Sequence, residues 1–134
     1  MKKRESFRPL APAVLEEYAI EWFDYNGNIR KCLDWMGALV QVKLNTKKLL
    51  KSICHVDGSA RIQIVKKDHS NFYKLIIEFK KLTNIPMLVN TSLNCGGDPI
   101  VMDETDLISS MIRMKIKYVM NNGSLWRLNE EHLI

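Results

Sequence analysis

Cysteine is scarce in this chain of 134 residues: Cys32, Cys54 and Cys95 stand far apart, and no two form a Cys-x-x-Cys pair. An odd number at wide spacing argues against both a disulfide framework and a zinc knuckle, so the thiols read as reduced and idle. Long apolar runs are missing too. None approaches the roughly 20 residues that span a bilayer, and Met1-Lys2-Lys3-Arg4-Glu5 leads into Phe7-Arg8-Pro9 instead of the apolar stretch of a signal segment. A cytoplasmic protein with no membrane partner is expected. Six glycines and four prolines are too few for collagen-like or low-complexity sequence. Neither a phosphate-binding P-loop, a dinucleotide fingerprint nor a Ser-His-Asp order can be assembled.

What is present suits one globular domain. With 46% hydrophobic and 26% charged residues, a chain of this length can bury roughly two thirds of its unfolded surface and needs no staple. Lys+Arg 20 against Asp+Glu 15 gives a formal charge of +5, which favours anionic partners without saying which. The lysines are dispersed, at Lys47-Lys48, Lys51, Lys66-Lys67, Lys80-Lys81, Lys115 and Lys117. Such pairs usually mark a solvated face, and no arginine-rich run or aromatic ladder of an RNA-binding sheet accompanies them. Polynucleotide binding therefore ranks second among the anionic possibilities.

Periodicity gives an order of elements. Val14, Leu15, Tyr18, Ala19, Trp22 and Phe23 recur at helical spacing after Pro12, which predicts a helix from about Ala13 to Phe23. Ala38, Val40, Val42 and Leu44 alternate with polar or exposed positions as in a strand, and so do Ala60, Ile62 and Ile64, whose intervening row Ser59, Arg61 and Gln63 offers a polar face. Ser70 or Asn71 can cap a second helix with Phe72, Leu75, Ile76, Phe79 and Leu82 on one side, stopped by Pro86. Met87-Leu88-Val89 suits a strand buried on both faces, and Asp103 with Asp106 reads as a helix start. Ile116, Tyr118 and Met120 alternate ahead of the Asn122-Gly123 turn signal, after which Leu125 to Leu128 can return as an edge strand. The alternation of strands and helices predicts an α/β or α+β single domain without linker or repeat.

Three places could carry chemistry. The loop Asn90 to Pro99 concentrates hydroxyls, amides and Gly96-Gly97 at the carboxyl end of a strand, where open α/β sheets place ligands. Ser92 and Asn94, two apart, would project to one side, and backbone N–H groups beside the glycines could approach an anion. An ordinary reversing turn explains the same residues equally well. Lys2, Arg4 and Arg8 could grip phosphate, the arginines by a two-pronged guanidinium, or be a frayed basic terminus. His55-Val56-Asp57-Gly58 sets an imidazole near a carboxylate, as in a base with its orienter or a metal pair, although His and Asp before Gly more often make a turn.

Taken together, three segments resemble one family. Lys2-Lys3-Arg4-Glu5-Ser6-Phe7-Arg8-Pro9-Leu10-Ala11-Pro12-Ala13-Val14-Leu15 resembles the KxRExFRPFAPSVL segment of the antibiotic and nodulation-factor O-carbamoyltransferases, the NodU family. His55-Val56-Asp57-Gly58-Ser59-Ala60-Arg61-Ile62-Gln63 resembles that family's HVDGTARVQ, and Asn90-Thr91-Ser92-Leu93-Asn94 through Gly97-Asp98-Pro99-Ile100-Val101 resembles its NTSFNxxGEPIV. The departures at Leu10, Ser59, Leu93 and Asp98 are mild. The resemblance covers most of the chain from Lys2 to about Asp106 and is loose from Tyr25 to Ser52 and over the last residues.

The resemblance implies a carboxy-terminal, YrdC-like domain over residues 1–134, a twisted mixed sheet flanked by helices. It implies binding of ATP and carbamoyl phosphate, with Mg²⁺, to make carbamoyl adenylate, which a separate amino-terminal transferase domain would pass to the hydroxyl of a small-molecule acceptor. Lys2 and Arg4 match the KxR signature of the wider YrdC family, and Ser92 and Asn94 match its SxN. The roles that follow are phosphate neutralisation for Lys2 and Arg4, cofactor binding for Arg8, a carbamoyl phosphate or phosphate contact for Arg61, and donor contacts to nucleotide phosphate for Thr91, Ser92 and Asn94; His55 and Asp57 would shape the loop presenting Arg61. Family members carry a GxRALGxRSIL-like segment upstream of KxRE, so a domain incomplete on its amino-terminal side is expected, with one edge exposed and an amino-terminal transferase domain or a partner chain needed for activity. A threonylcarbamoyl-adenylate-type tRNA modification protein is the alternative within the fold, disfavoured by the FRP, HVDG and GDPIV stretches. A catalytically inactive nucleic-acid or partner-binding module is the alternative outside enzymology.

Overall fold

The computed structural model of the chain describes residues 10–25, 30–34 and 36–129, and these divide between Thr91 and Ser92 into two compact units. The content is mixed α/β, with small sheets flanked by helices, as expected. Among the described residues no helix is long and apolar enough to cross a membrane.

The first unit is organised by β1 (Ala11–Leu15), the middle strand of a mixed sheet between β5 (Gln63–Val65) and β6 (Met87–Asn90). β1 runs parallel to β5, with Ala13 opposite Gln63, and antiparallel to β6, with Ala13 opposite Leu88. The helix predicted from Ala13 therefore begins only at Glu16, as α1 (Glu16–Trp22). The apolar positions that suggested one helix belong to a strand and a helix joined without a linker, and the run of 3.6-residue spacing conceals the change. Pro12 is tolerated in this middle strand for a geometric reason. The Leu15 N–H donates to the Pro86 carbonyl at 3.0 Å, so by alternation the backbone N of Pro12 faces away from β6, towards the side where pairing with β5 begins only at Ala13. The missing N–H of proline leaves no rung unfilled.

A second, antiparallel sheet is formed by β2 (Phe23–Asp24), β3 (Val40–Val42) and β4 (Ser59–Ala60), and α2 (Arg30–Leu33) lies between its first two strands in sequence. The strand predicted across Ser59 to Ile64 is real in its alternation but changes sheets midway. β4 pairs with β3, β5 pairs with β1, and Arg61-Ile62 makes the crossover. Ala60, Ile62 and Ile64 are fully buried and join Val14, Phe23, Val40, Val42 and Met87 in one core. The other face of the mixed sheet contributes Ala13, Leu15 and Val65, which meet Ile76, Tyr73 and Ile77 of α3 (Ser70–Thr83). Each large aliphatic or aromatic side chain enclosed there contributes about 1.5–3 kcal/mol relative to exposure. The residue at the amino-terminal cap of α3 is His69, not Ser70 or Asn71, and it makes no side-chain capping bond; the helix ends at Asn84 in the left-handed region, with φ of 60°. Met87 of β6 is buried, Leu88 half-buried and Val89 exposed, so the expectation of burial on both faces is corrected; β6 is also the edge strand of its sheet, with no strand paired to its outer side among the described residues.

The second unit holds α4 (Glu104–Met114), β7 (Tyr118–Asn121) and β8 (Ser124–Arg127). The Asp103 side chain accepts the Asp106 N–H at 2.8 Å, and the Asp106 carboxylate accepts the Met102 N–H at 3.2 Å. That reciprocal cap is the predicted helix start. Asn122 and Gly123 both have positive φ, as a two-residue hairpin turn requires. The predicted face of β7 is reversed, since Val119 and Trp126 pack towards Leu107 and Met111 while Tyr118 and Met120 are exposed. Ile116 does join that core, but it precedes the strand, and two residues separate it from Val119.

Candidate functional site

Strand direction decides which motif segments meet. Because β1 and β5 are parallel and β6 antiparallel to them, the starts of β1 and β5 and the end of β6 lie at one end of the mixed sheet. The segment carrying Lys2, Arg4 and Arg8 immediately precedes β1 in the chain, Arg61 lies two residues before β5, and Thr91 directly follows β6. Lys2, Arg4 and Arg8 themselves lie outside the described residues. Arg61 and Thr91 are both exposed at this end, so the fold delivers two of the expected residues from segments far apart in sequence.

Arg61 is presented by a tight turn. The Gly58 N–H donates to the His55 carbonyl at 2.9 Å, and the His55 N–H donates to the Ser59 carbonyl at 2.7 Å. One oxygen of Asp57 accepts both the Ser59 N–H, at 2.9 Å, and the Ser59 hydroxyl, at 2.7 Å. Those two bonds, the backbone one first, hold the Asp57 carboxyl below its ordinary value. Gly58 has φ of 85°, and a Cβ there would strike the end of the Lys47 side chain, so glycine suits this position on both counts. His55 and Asp57 thus form a turn that fixes Ser59 at the start of β4. Among the described residues no group of three or more His, Cys, Asp or Glu side chains is placed to hold a metal ion.

Two residues at the same sheet end were not singled out by sequence reasoning. The Asn90 side-chain N–H donates to the Gln63 Oε1 at 2.6 Å, joining the end of β6 to the start of β5. This bond passes across β1 beside Ala11 and Ala13, whose single methyl groups leave room for it. The signal was available: both residues belong to the family-like segments, and Gln63 sits on the polar row with Arg61.

The opposite end of the sheet is chemically different. Glu16, Glu17, Lys66, Lys67 and Asp68 line a recess there, and two of these groups are engaged, Lys66 with Asp34 at 2.6 Å and Glu17 by the Tyr73 hydroxyl at 2.5 Å. The bond to Glu17 leads the causes that push the Tyr73 phenol up to about 12.

The second unit opens with the polar loop. The Ser92 hydroxyl donates to the Asn94 Oδ1 at 2.7 Å, and the Asn94 side-chain N–H donates to the Asp98 carbonyl at 2.7 Å. Ser92 and Asn94 therefore do share a side. The Asp98 N–H donates to the Cys95 carbonyl at 3.1 Å, the Val101 N–H to the Leu93 carbonyl at 3.0 Å, and Arg113 pairs with the Asp98 carboxylate. The loop is closed on itself by these bonds. Gly97 has φ of 88°, and nothing lies within 4 Å of where a Cβ would project, so one rim of the loop is open backbone.

Residues 1–127 match the family described as "Carbamoyltransferase C-terminus". "Nodulation protein NolO" of Bradyrhizobium diazoefficiens is 42% identical over 113 residues, which are 84% of this chain and 20% of that protein. "Nodulation protein U" of Azorhizobium caulinodans is 41% identical over 97 residues, 72% of this chain and 17% of that protein. An archaeal relative, "Uncharacterized protein MJ1058" of Methanocaldococcus jannaschii, is 33% identical over 126 residues, 93% of this chain and 20% of that protein. The chain belongs to the carbamoyltransferase C-terminus family. It spans about one fifth of the length of the curated relatives it matches.

Proposed function

We propose that this chain binds ATP and carbamoyl phosphate and supports formation of carbamoyl adenylate for O-carbamoylation of a small-molecule acceptor, the transfer itself being carried out by a separate transferase domain or chain. The observation that carries the reading is the convergence of the family-like segments on one end of the mixed sheet, with Arg61 and Thr91 exposed there. Carbamoyl phosphate already bears a phosphoryl group on the oxygen that must become the nucleophile. Water therefore first releases phosphate to leave carbamate, and a carbamate oxygen then attacks the α-phosphorus of ATP. The bond from that phosphorus to the β-phosphate oxygen breaks, and pyrophosphate leaves with the electron pair. Charge accumulates on phosphoryl oxygens throughout, so fixed cations and neutral donors aimed at them supply the catalysis.

Arg61 is suited to the carbamoyl phosphate dianion by its planar fork, and Lys2, Arg4 and Arg8 to the nucleotide phosphates. Thr91, and Asn94 through its remaining side-chain N–H on the loop of the second unit, would donate hydrogen bonds to phosphate, and Ser92 would do so by exchanging its bond to Asn94. The described residues do not themselves fit a metal ion. Mg²⁺ would arrive coordinated by the nucleotide, its usual habit.

The test is calorimetric titration of the purified chain with ATP and Mg²⁺, with and without carbamoyl phosphate, followed by measurement of pyrophosphate release. Binding of both ligands, weakened at least tenfold by Arg61→Ala in a protein with an unchanged melting curve, is the expected result. Absence of binding by a folded chain, or equal affinity in the variant, would overturn the assignment.

A further inference from the structure

The apolar stripe of α3 is only partly used by the core. Ile76 is enclosed, but Phe72, Leu75 and Leu82 are 37%, 56% and 86% exposed, and with Phe79 they form one line along the helix at spacings of three and four. Phe79 also lines a groove of about 430 Å³ whose other walls are Leu49, Ile53, Ile85, Leu88 and Val89. The stripe and the groove are thus continuous. Beside them runs the outer edge of β6. The Leu15–Pro86 bond fixes the alternation, so Met87 and Val89 turn their N–H and C=O groups away from β1, and no strand pairs with that side among the described residues. An open edge flanked by exposed leucine, valine and phenylalanine is a surface that soluble proteins ordinarily cover.

We propose that this face receives an extended segment of the polypeptide that makes up the remaining four fifths of the relatives, added to β6 as a strand with its apolar side chains seated in the groove and along α3. The relatives' length supplies the occupant, because about 80% of each lies outside the matched region. When such a segment is joined to its target its local concentration is high, and a modest strand-and-groove contact suffices. Charge selects among segments: Lys48 and Lys51 stand exposed on the stretch that forms one wall, so the incoming strand alternates large apolar residues with acidic ones. A second copy of the chain fits poorly, since two-fold pairing would bring the same lysines and two formal charges of +5 together. The inference rests on family membership and is independent of the adenylate chemistry.

The experiment probes immobilised peptides tiling the part of Bradyrhizobium diazoefficiens NolO outside the matched region with the intact chain, then measures affinity for the peptides that bind. Binding to acidic, alternately apolar peptides is expected, weakened at least tenfold by Leu75→Glu and by Val89→Pro, which removes an outward N–H while leaving the β1 rungs intact. Circular dichroism and a melting curve verify that both variants are folded, and Leu82→Glu is the second helix variant should Leu75→Glu unfold. No binding peptide, or binding unchanged in the folded variants, overturns the proposal. So does concentration-dependent dimerisation in sedimentation that the same variants abolish, which would assign the face to a second copy.

Discussion

The bond between Asn90 and Gln63 is a direct test of how the sheet end is held together. At 2.6 Å it joins two half-buried amides on the outer strands of the mixed sheet, over the alanines of the strand between them. Replacing either residue by alanine removes the bond and leaves the other amide in a setting where water reaches it only in part. A net hydrogen bond is worth about 0.5–1.5 kcal/mol, and an amide stranded without a partner costs about 1–3 kcal/mol when fully buried. Partial burial puts each single variant near the lower end, at about 1 kcal/mol. The double variant should then cost less than the sum of the singles, by a coupling of about 0.5–1.5 kcal/mol. Urea unfolding of the four proteins, followed by tryptophan fluorescence, gives the cycle, provided that the slopes with denaturant are equal. Strict additivity of the two substitutions would refute the reasoning, because it would mean that the amides do not rely on each other in solution.

Other perturbations follow from the same geometry. Gly58→Ala places a side chain at φ of 85° against Lys47 and should destabilise by about 1–2 kcal/mol, read as a lower urea midpoint; an unchanged midpoint would show that the turn is not fixed as described. Asp57, whose carboxyl is held below the ordinary 3.8 by bonds from Ser59, contributes stability that is present above that value and is lost as pH falls through its lowered pKa. Asp57→Ala should therefore flatten the acid limb of the stability curve, and carboxyl carbon NMR should find Asp57 titrating below its ordinary value. The Tyr73 phenol, raised to about 12 chiefly by its bond to Glu17, contributes stability that is complete below pH 10, the ordinary phenol value, and is lost as pH rises through about 12. Spectrophotometric titration should show one tyrosine ionising late, and Glu17→Gln should return it towards the others.

Much of this was legible beforehand, for identifiable reasons. α4 announced itself through Asp103 and Asp106, whose spacing matches the reciprocal cap found there, and the hairpin through Asn122-Gly123, the residues that best tolerate positive φ. The burial of Ala60, Ile62 and Ile64 was readable from alternation, since a side chain's face depends only on the strand's twofold period. What alternation could not reveal is that this run changes partners at Arg61-Ile62, because pairing is set by distant strands. β1 was hidden inside an apparent helix for a related reason: Val14 and Leu15 sit at positions that fit either period, and only β5 and β6 determine which is used. Ser92 and Asn94 were recognisable as a pair from their spacing, and the structure shows them bonded to each other. Gln63 and Asn90 were not, because a contact between strands that both neighbour a third is visible only once the strand order is known.

The strand order has a kinetic consequence. β1 finds β5 about fifty residues away and β6 about seventy-five away, and closing loops of that size is slow relative to forming local helices. The sheet end that gathers Arg61, Gln63, Asn90 and Thr91 does not exist in any partly paired chain. Helical content should therefore rise well before that end is assembled during refolding, and Ala13, where β5 and β6 both engage β1, is the place at which a substitution would slow folding as much as it destabilises the folded state.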